Sequence, residues 1–403
     1  MQKHTEKIEN YIWNNLFCDK TNLFYDFRIS KEKDANICAL PTPELIRAQV
    51  PNPCGYSTGM EDSSLNGGIM LDAAIAAYEA TGDEKYALQA KTIYSGLRLC
   101  AEAHGYPGYI ARSVSPEDKK SVYLDSSRDQ YTNWVFGALR YYNSGLASDE
   151  HMASIRNAIV GIAEKHEREV IPENNYCLLR PDGKHGRVLG MWGNVEAHEF
   201  LRMPMFYLAA YHVSGNEHWK QLYESYRDEA LEGSFAIDCS KLWHAYCSLQ
   251  MQYSVKLVYE LETDEHYKAE YKRLMCKVAD YYVQRIVTDC DDLVSGRSGI
   301  NLSASYGVWN KLQARFTAFI GGYAYFNPTH PKEASDAFYA LRDIGNSAQV
   351  IALAGMSEQR ILDAIVSVID ATVTENHYTG GPIDLYGAYW YLTKDLKERG
   401  KLQ

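Results

Sequence analysis

The sequence predicts an all-helical (α/α)6 barrel, a six-hairpin toroid that takes up residues 1–403 as one domain. Three observations predict it. A helix–turn–helix segment recurs along the chain, apolar and amphipathic helices alternate, and the long connections all fall on one side of that alternation. A chain of 403 residues usually divides into two or three domains. A toroid escapes that rule because each added hairpin extends the same ring.

The repeat is clearest in three places: Ala77-Tyr78-Glu79-Ala80-Thr81-Gly82-Asp83-Glu84-Lys85-Tyr86, Ala210-Tyr211-His212-Val213-Ser214-Gly215-Asn216-Glu217-His218-Trp219 and Val258-Tyr259-Glu260-Leu261-Glu262-Thr263-Asp264-Glu265-His266-Tyr267. Gly82 and Gly215 predict left-handed helix stops. Asp83, Asn216 and Asp264 predict caps for the helices that follow. The aromatic three residues past each cap is expected to pack back on the preceding helix. Weaker copies of the turn occupy residues 143–150 and 354–359. Antiparallel pairs therefore centre near residues 82, 146, 215, 263 and 356. A first helix, roughly 5–18, has no sequential partner and is expected to close the ring against a last helix, roughly 384–397.

Polarity assigns inner and outer positions. Residues 64–80 carry only Asp72 and Glu79 as charges, whereas 84–103 carry Glu84, Lys85, Lys91, Arg98 and Glu102. Residues 129–143 carry Asp129 and Arg140 and are followed by the heavily charged 149–169; 242–259 carry only Lys256. A helix apolar all round is buried, and an amphipathic one faces water, so the first of each pair is inner. An open superhelix, the alternative, would give more even amphipathicity. Long connections at 19–62, 104–127, 171–198, 288–332 and 374–383 precede the inner helices. Loops this long in a compact fold are usually functional. The stretch 299–326 reads as a loop with a short helix or as a strand pair.

Bulk properties narrow the function. The net charge of −11 argues against a nucleic-acid surface. No apolar run reaches the roughly 18 residues of a membrane span. The N-terminus enters an amphipathic helix at once, and the nine cysteines are scattered without a CxxC pair. Reduced thiols and a cytoplasmic location are expected, although a secreted protein with its leader removed reads the same way. No GxGxxG, Walker loop or nucleophile elbow is present, so no cofactor is expected.

The candidate chemistry lies where the inner helices begin. Glu61 and Asp62 precede the first, with Gly67 and Gly68 just inside it marking a close approach by backbone or ligand. Arg128 and Asp129 open the second, followed by Tyr131 and Trp134. Trp192, Asn194, Glu196, His198, Glu199 and Arg202 precede or open the third, whose start is fixed near Pro204. His198 lacks a second histidine four residues away, so no metal is expected. Trp243 and His244 open the fourth, and Trp309 and Arg315 flank the fifth connection. Tyr106 and Tyr109 sit in a compact Gly/Pro loop that also carries Arg112. The 32 tyrosines and 7 tryptophans supply rings for such a surface, though most are expected to pack between helices. Rings beside carboxylates suit a carbohydrate: pyranose C–H faces stack on the rings, and paired carboxyls serve as acid and base.

With Thr81-Gly82-Asp83 between Asp62 and Asp129, residues 56–145 resemble the six-hairpin glycosidases, especially the unsaturated glucuronyl and rhamnogalacturonyl hydrolases. The resemblance implies that Asp129 protonates the enol ether of an unsaturated uronate and directs water, supported by Asp62. The Arg-Gly-Gln-Ala-Trp stretch of that family's third inner helix is absent; Met191-Trp192-Gly193-Asn194 and Arg202 stand roughly there. The expected activity is glycoside hydrolysis on an oligosaccharide, with Asp129 as general acid and Asp62 or Glu61 as its partner. Alternatives are a sugar 2-epimerase with His198, His244 or His377 as bases, a polysaccharide lyase with a base such as Tyr131, and a non-catalytic helical scaffold.

Overall fold

The computed structural model describes residues 2–26, 40–56, 58–304, 316–320, 323–326, 332–373 and 380–402. Helix α1 (Gln2–Asn15) is followed by a small hairpin of β1 (Phe17–Cys18) and β2 (Leu23–Phe24), then by the short α2 (Pro43–Arg47). Two helical hairpins come next, α3 (Ser63–Thr81) with α4 (Glu84–Glu102) and α5 (Arg128–Asn143) with α6 (Asp149–Glu169). An antiparallel pair, β3 (Cys177–Leu179) and β4 (His185–Gly190), fills the following connection. After it stand α7 (Arg202–Ser214) with α8 (Glu217–Phe235), α9 (Ala245–Leu261) with α10 (Glu265–Val283), and α11 (Ile286–Val294). Within 299–326, Leu302–Ala304 forms a 3-10 helix and the strands β5 (Phe316–Ile320) and β6 (Tyr323–Phe326) pair antiparallel, so the described residues carry a short helix and a strand pair. The chain ends with α12 (Lys332–Leu353), α13 (Gln359–Thr372) and α14 (Gly381–Glu398).

Helices α3, α5, α7, α9, α12 and α14 pack in that order, and α14 returns to α3. This is the closed inner ring of an all-α (α/α)6 barrel. Outside it lie α4, α6, α8, α10 and α13. Helix α1 completes the outer layer against α14 and α13, pairing the two ends of the chain. The polarity rule holds for α3 and α4 but not for the last sequential pair, where inner α12 carries Lys332, Glu333, Asp336, Arg342 and Asp343 and outer α13 only Arg360, Asp363 and Asp370. In α3, Ser63 through Ala77 are all buried, whereas α4 buries only a stripe of Tyr86, Ala90, Ile93, Tyr94, Gly96, Leu97 and Cys100. No helix among the described residues is long and apolar enough to cross a membrane.

The turns also follow from their residues. Gly82 (φ 70°) and Gly215 (φ 67°) end α3 and α7 in the left-handed region. Asp83, Asn216 and Asp264 accept the backbone N–H groups of Lys85, His218 and His266. Of the aromatics past these caps, Trp219 packs on the preceding helix, parallel to Tyr207. Tyr86 meets Trp390 of α14, and Tyr267 donates to Asp228 of α8 with Arg227 over its ring. An aromatic one turn past a cap reaches the groove between hairpins, where a neighbouring ring or cation offers a better partner. The close approach expected at Gly68 is by backbone: a Cβ there would lie 2.4 Å from the Asn133 carbonyl oxygen of α5.

Candidate active site

The starts of α3, α5, α9 and α14 and the first half of α12 surround a cavity of about 530 Å3. Asp62, Asp129, Glu61, Arg128, Trp243 and His244 all line it, so these six sequence candidates converge.

Neither key carboxylate caps its helix. Asp62 holds the cap position of α3 but makes no capping bond. Gln130 of α5 does that work, its Oε1 accepting the Leu65 N–H at 3.0 Å. The Gln130 Nε2 donates to Asp62 Oδ1 at 2.8 Å and so fixes that carboxylate toward the cavity wall. Arg112 and Arg342 stand 3.5 and 3.8 Å from Asp62. On α5, Ser127 caps, accepting from Gln130 N. Asp129, in the first turn of α5, is held by Arg202, whose Nη2 donates at 2.8 Å from behind the wall. Arg128 grips Glu199 at 2.7 Å and also donates to the Gly190 carbonyl. Glu61 is buried and accepts the Gly59 N–H.

Three functional candidates were missed by sequence reasoning. The Arg342 guanidinium of α12 lies 3.7 Å from Asp26, 3.8 Å from Asp62 and 3.6 Å from Asp384. Asp26 and Asp384 are 1% and 2% exposed. Burial raises both carboxyls; Arg342 opposes the rise, and the other carboxylates add to it. Asp384 reaches about 7. This end of the cavity thus holds an acid that releases its proton near neutrality and not near pH 4. Asp384 carried the same signal as Asp62 and Asp129, a carboxylate at the start of an apolar helix. Asp26 and Arg342 had no local signal.

The other walls are aromatic and cationic. A parallel bridge between Ser127 and Val188 pins β4 beside the start of α5, and this brings Arg187 to the cavity. Tyr56 lies between two guanidiniums, Arg112 at 4.9 Å and Arg187 at 5.2 Å from its ring. Arg112 is otherwise occupied by the carbonyls of Glu61, Asp125 and Ser126.

The remaining expected binding residues lie elsewhere. Tyr131 is fully buried against His166 and Phe206, and Trp134 donates to the Leu97 carbonyl in the α4–α5 seam. Tyr109 is buried in a second core beneath the loops, its hydroxyl donating to the Tyr123 carbonyl; Tyr106 is exposed and stacks on His104. Trp192 packs edge-on to Phe200 and Tyr226. Asn194 and Glu196 are exposed outside the cavity lining. The cause is common to these three: β4, and not the segment after it, is the part of that connection that reaches the cavity. His198 is buried between Glu196 and Glu199, and burial with Arg202 beside it pushes its imidazole down to about 4. Glu199 and Arg202 do not line the cavity but hold Arg128 and Asp129 from behind. Trp309, Arg315 and His377 lie outside the described residues. No metal-binding group of three or more histidine, cysteine or acidic side chains occurs among the described residues.

An all-α toroid with acidic groups gathered where its inner helices begin defines the class of the chain. No protein-family model matches it, and no curated protein does. Among solved structures, the α-1,6-mannanase GH76A from Salegentibacter sp. HEL1_6 is similar over 70% of this chain and 87% of its own, at 12% identity and a TM-score of 0.35. An inactive variant of that α-1,6-mannanase in complex with α-1,6-mannotetrose is similar over the same shares, at 11% identity and a TM-score of 0.35. At these values the likeness carries no weight for fold or reaction; the fold stands on the chain's own helix packing.

Proposed function

We propose that this chain is a glycoside hydrolase that cleaves an oligosaccharide by carboxylate acid/base chemistry in the cavity. One observation carries the reading: Asp62, at the cap position of α3 without a capping bond, and Asp129, in the first turn of α5, line one cavity. A helix scaffold without chemistry has no use for two carboxylates held at one cavity. In this reading Asp129 protonates the leaving oxygen and Asp62 directs water or stabilises the developing positive charge. Asp384 and Asp26, joined to Asp62 through Arg342, hold a proton beside the reacting pair. An unsaturated uronyl substrate is the finer form of the reading. Its support is the guanidinium group of Arg187 on the cavity wall, a group type that pairs with a sugar carboxylate.

The test is a release assay over a panel of neutral oligosaccharides and unsaturated uronyl disaccharides. We expect turnover on at least one, and a loss of about 10²–10⁴-fold in kcat for Asp129→Asn with an unchanged circular dichroism spectrum. Equal turnover by wild type and Asp129→Asn would remove Asp129 from the mechanism. No turnover on any member would overturn the reading.

A further inference from the structure

Trp243 is the most exposed of the large apolar side chains among the described residues, at 71%. The others of that kind, such as Leu88 and Tyr106, lie away from the cavity, whereas Trp243 lines it. A single exposed ring is ordinary on a protein surface, but this one stands on the wall of the cavity, beside other ring-bearing side chains.

Its neighbour His244 is held from two sides. The Nδ1 atom lies 2.9 Å from Asp343 Oδ2 on α12, and the ring stacks on Tyr339 at 3.6 Å and 14°. Asp343 is itself fixed, because its other oxygen accepts the Ala245 N–H at 3.0 Å and caps α9. A carboxylate can only accept from Nδ1, so Nδ1 carries the hydrogen in the neutral ring and Nε2 is left as an acceptor. Tyr246 continues this wall, 6.1 Å from Trp243. Burial and the charge of Asp129 both push its phenol up, which places the wall beside that carboxylate.

A flat ring and a fixed hydrogen-bond acceptor, side by side at the mouth, match the two faces of a pyranose. We propose that Trp243, His244 and Tyr339 form a second sugar subsite, one that holds the sugar unit next to the one being cleaved. The C–H face of that sugar stacks on the indole of Trp243, and one of its hydroxyls donates to His244 Nε2. Tyr339 and Asp343 are positioning residues that set the plane and the tautomer of His244. This deepens the hydrolase reading and rests on it, since it makes the substrate a disaccharide or longer.

Two substrates with one reacting sugar separate the subsite from the chemistry: an oligosaccharide cleaved in the panel, and the matching glycosyl fluoride, which has no second sugar. For Trp243→Ala, the ratio of the oligosaccharide KM to the fluoride KM should rise about ten-fold, the size of one good ring contact. Trp243→Phe should restore part of it, and His244→Gln should raise the same ratio. An unchanged ratio in Trp243→Ala, or equal rises on both substrates, would overturn the subsite while leaving the hydrolase standing. If nothing in the panel is cleaved, the readout becomes iodide quenching of tryptophan emission in the whole protein. The probes are cellotriose, maltotriose, xylotriose and an unsaturated chondroitin disaccharide. Shielding of the component lost in Trp243→Ala by any of them supports the subsite, and no shielding by all four overturns it.

Discussion

Asp384 has an ordinary carboxyl value of 3.8 when exposed and about 7 in its buried place. Between those two values the folded protein binds a proton that the unfolded chain has released, and Asp26 shifts in the same direction. Stability from this source is complete below about pH 4 and is lost as the pH rises through about 7. The melting temperature of wild type should therefore fall more steeply between about pH 5 and pH 8 than that of Asp384→Asn, which has no proton to lose there. Parallel curves in differential scanning fluorimetry would show that Asp384 titrates at its ordinary value. At this scale the sequence was half legible. Asp62 and Asp129 could be found because a carboxylate at the head of an apolar helix is unusual. The rings could not be sorted, since Trp134 and Tyr131, turned into the packing inside α5, have the same composition signal as Trp243, which stands in the bend just before α9. Asp26 and Arg342 meet Asp62 and Asp384 only through the fold.

Helices and turns were the most legible level. A cap, a left-handed glycine and an apolar run are local, so Gly82, Asp83 and the start of α4 declare themselves in about ten residues. What the pattern left open was the partner of each outer face, as the divergent packing of Tyr86 and Tyr267 shows. The α3–α5 seam is the tightest contact argued from the sequence, and it gives a sharp expectation. Gly68→Ala puts a methyl group 2.4 Å from the Asn133 carbonyl, which is backbone and cannot swing aside. The substitution should cost about 1–3 kcal/mol or more in a denaturant titration, as overpacking does. A loss under about 0.5 kcal/mol would mean that α3 and α5 slide apart freely.

For the molecule as a whole, ring closure was read from bookends: a first helix without a partner and a last one likewise. Lys7 of α1 reaches the Asp370 carbonyl of α13 at 2.5 Å, and Lys85 of α4 pairs with Glu9 at 2.9 Å. Ile8 and Ile12 beneath them are fully buried. Ile12→Ala should destabilise by about 2–5 kcal/mol. If the ring is one cooperative unit, calorimetry should show a single transition that moves as a whole in this variant. A split endotherm, with only part of it displaced, would divide the chain into separately melting parts.

Asp26, Asp62, Asp129 and Asp384 come from almost the full span of the chain. During synthesis, three of them leave the ribosome long before the fourth. The nascent protein can therefore be largely helical before its acid cluster is complete, which happens only when α14 docks between α12 and α3. Whatever reaches the cavity earlier meets an unfinished wall.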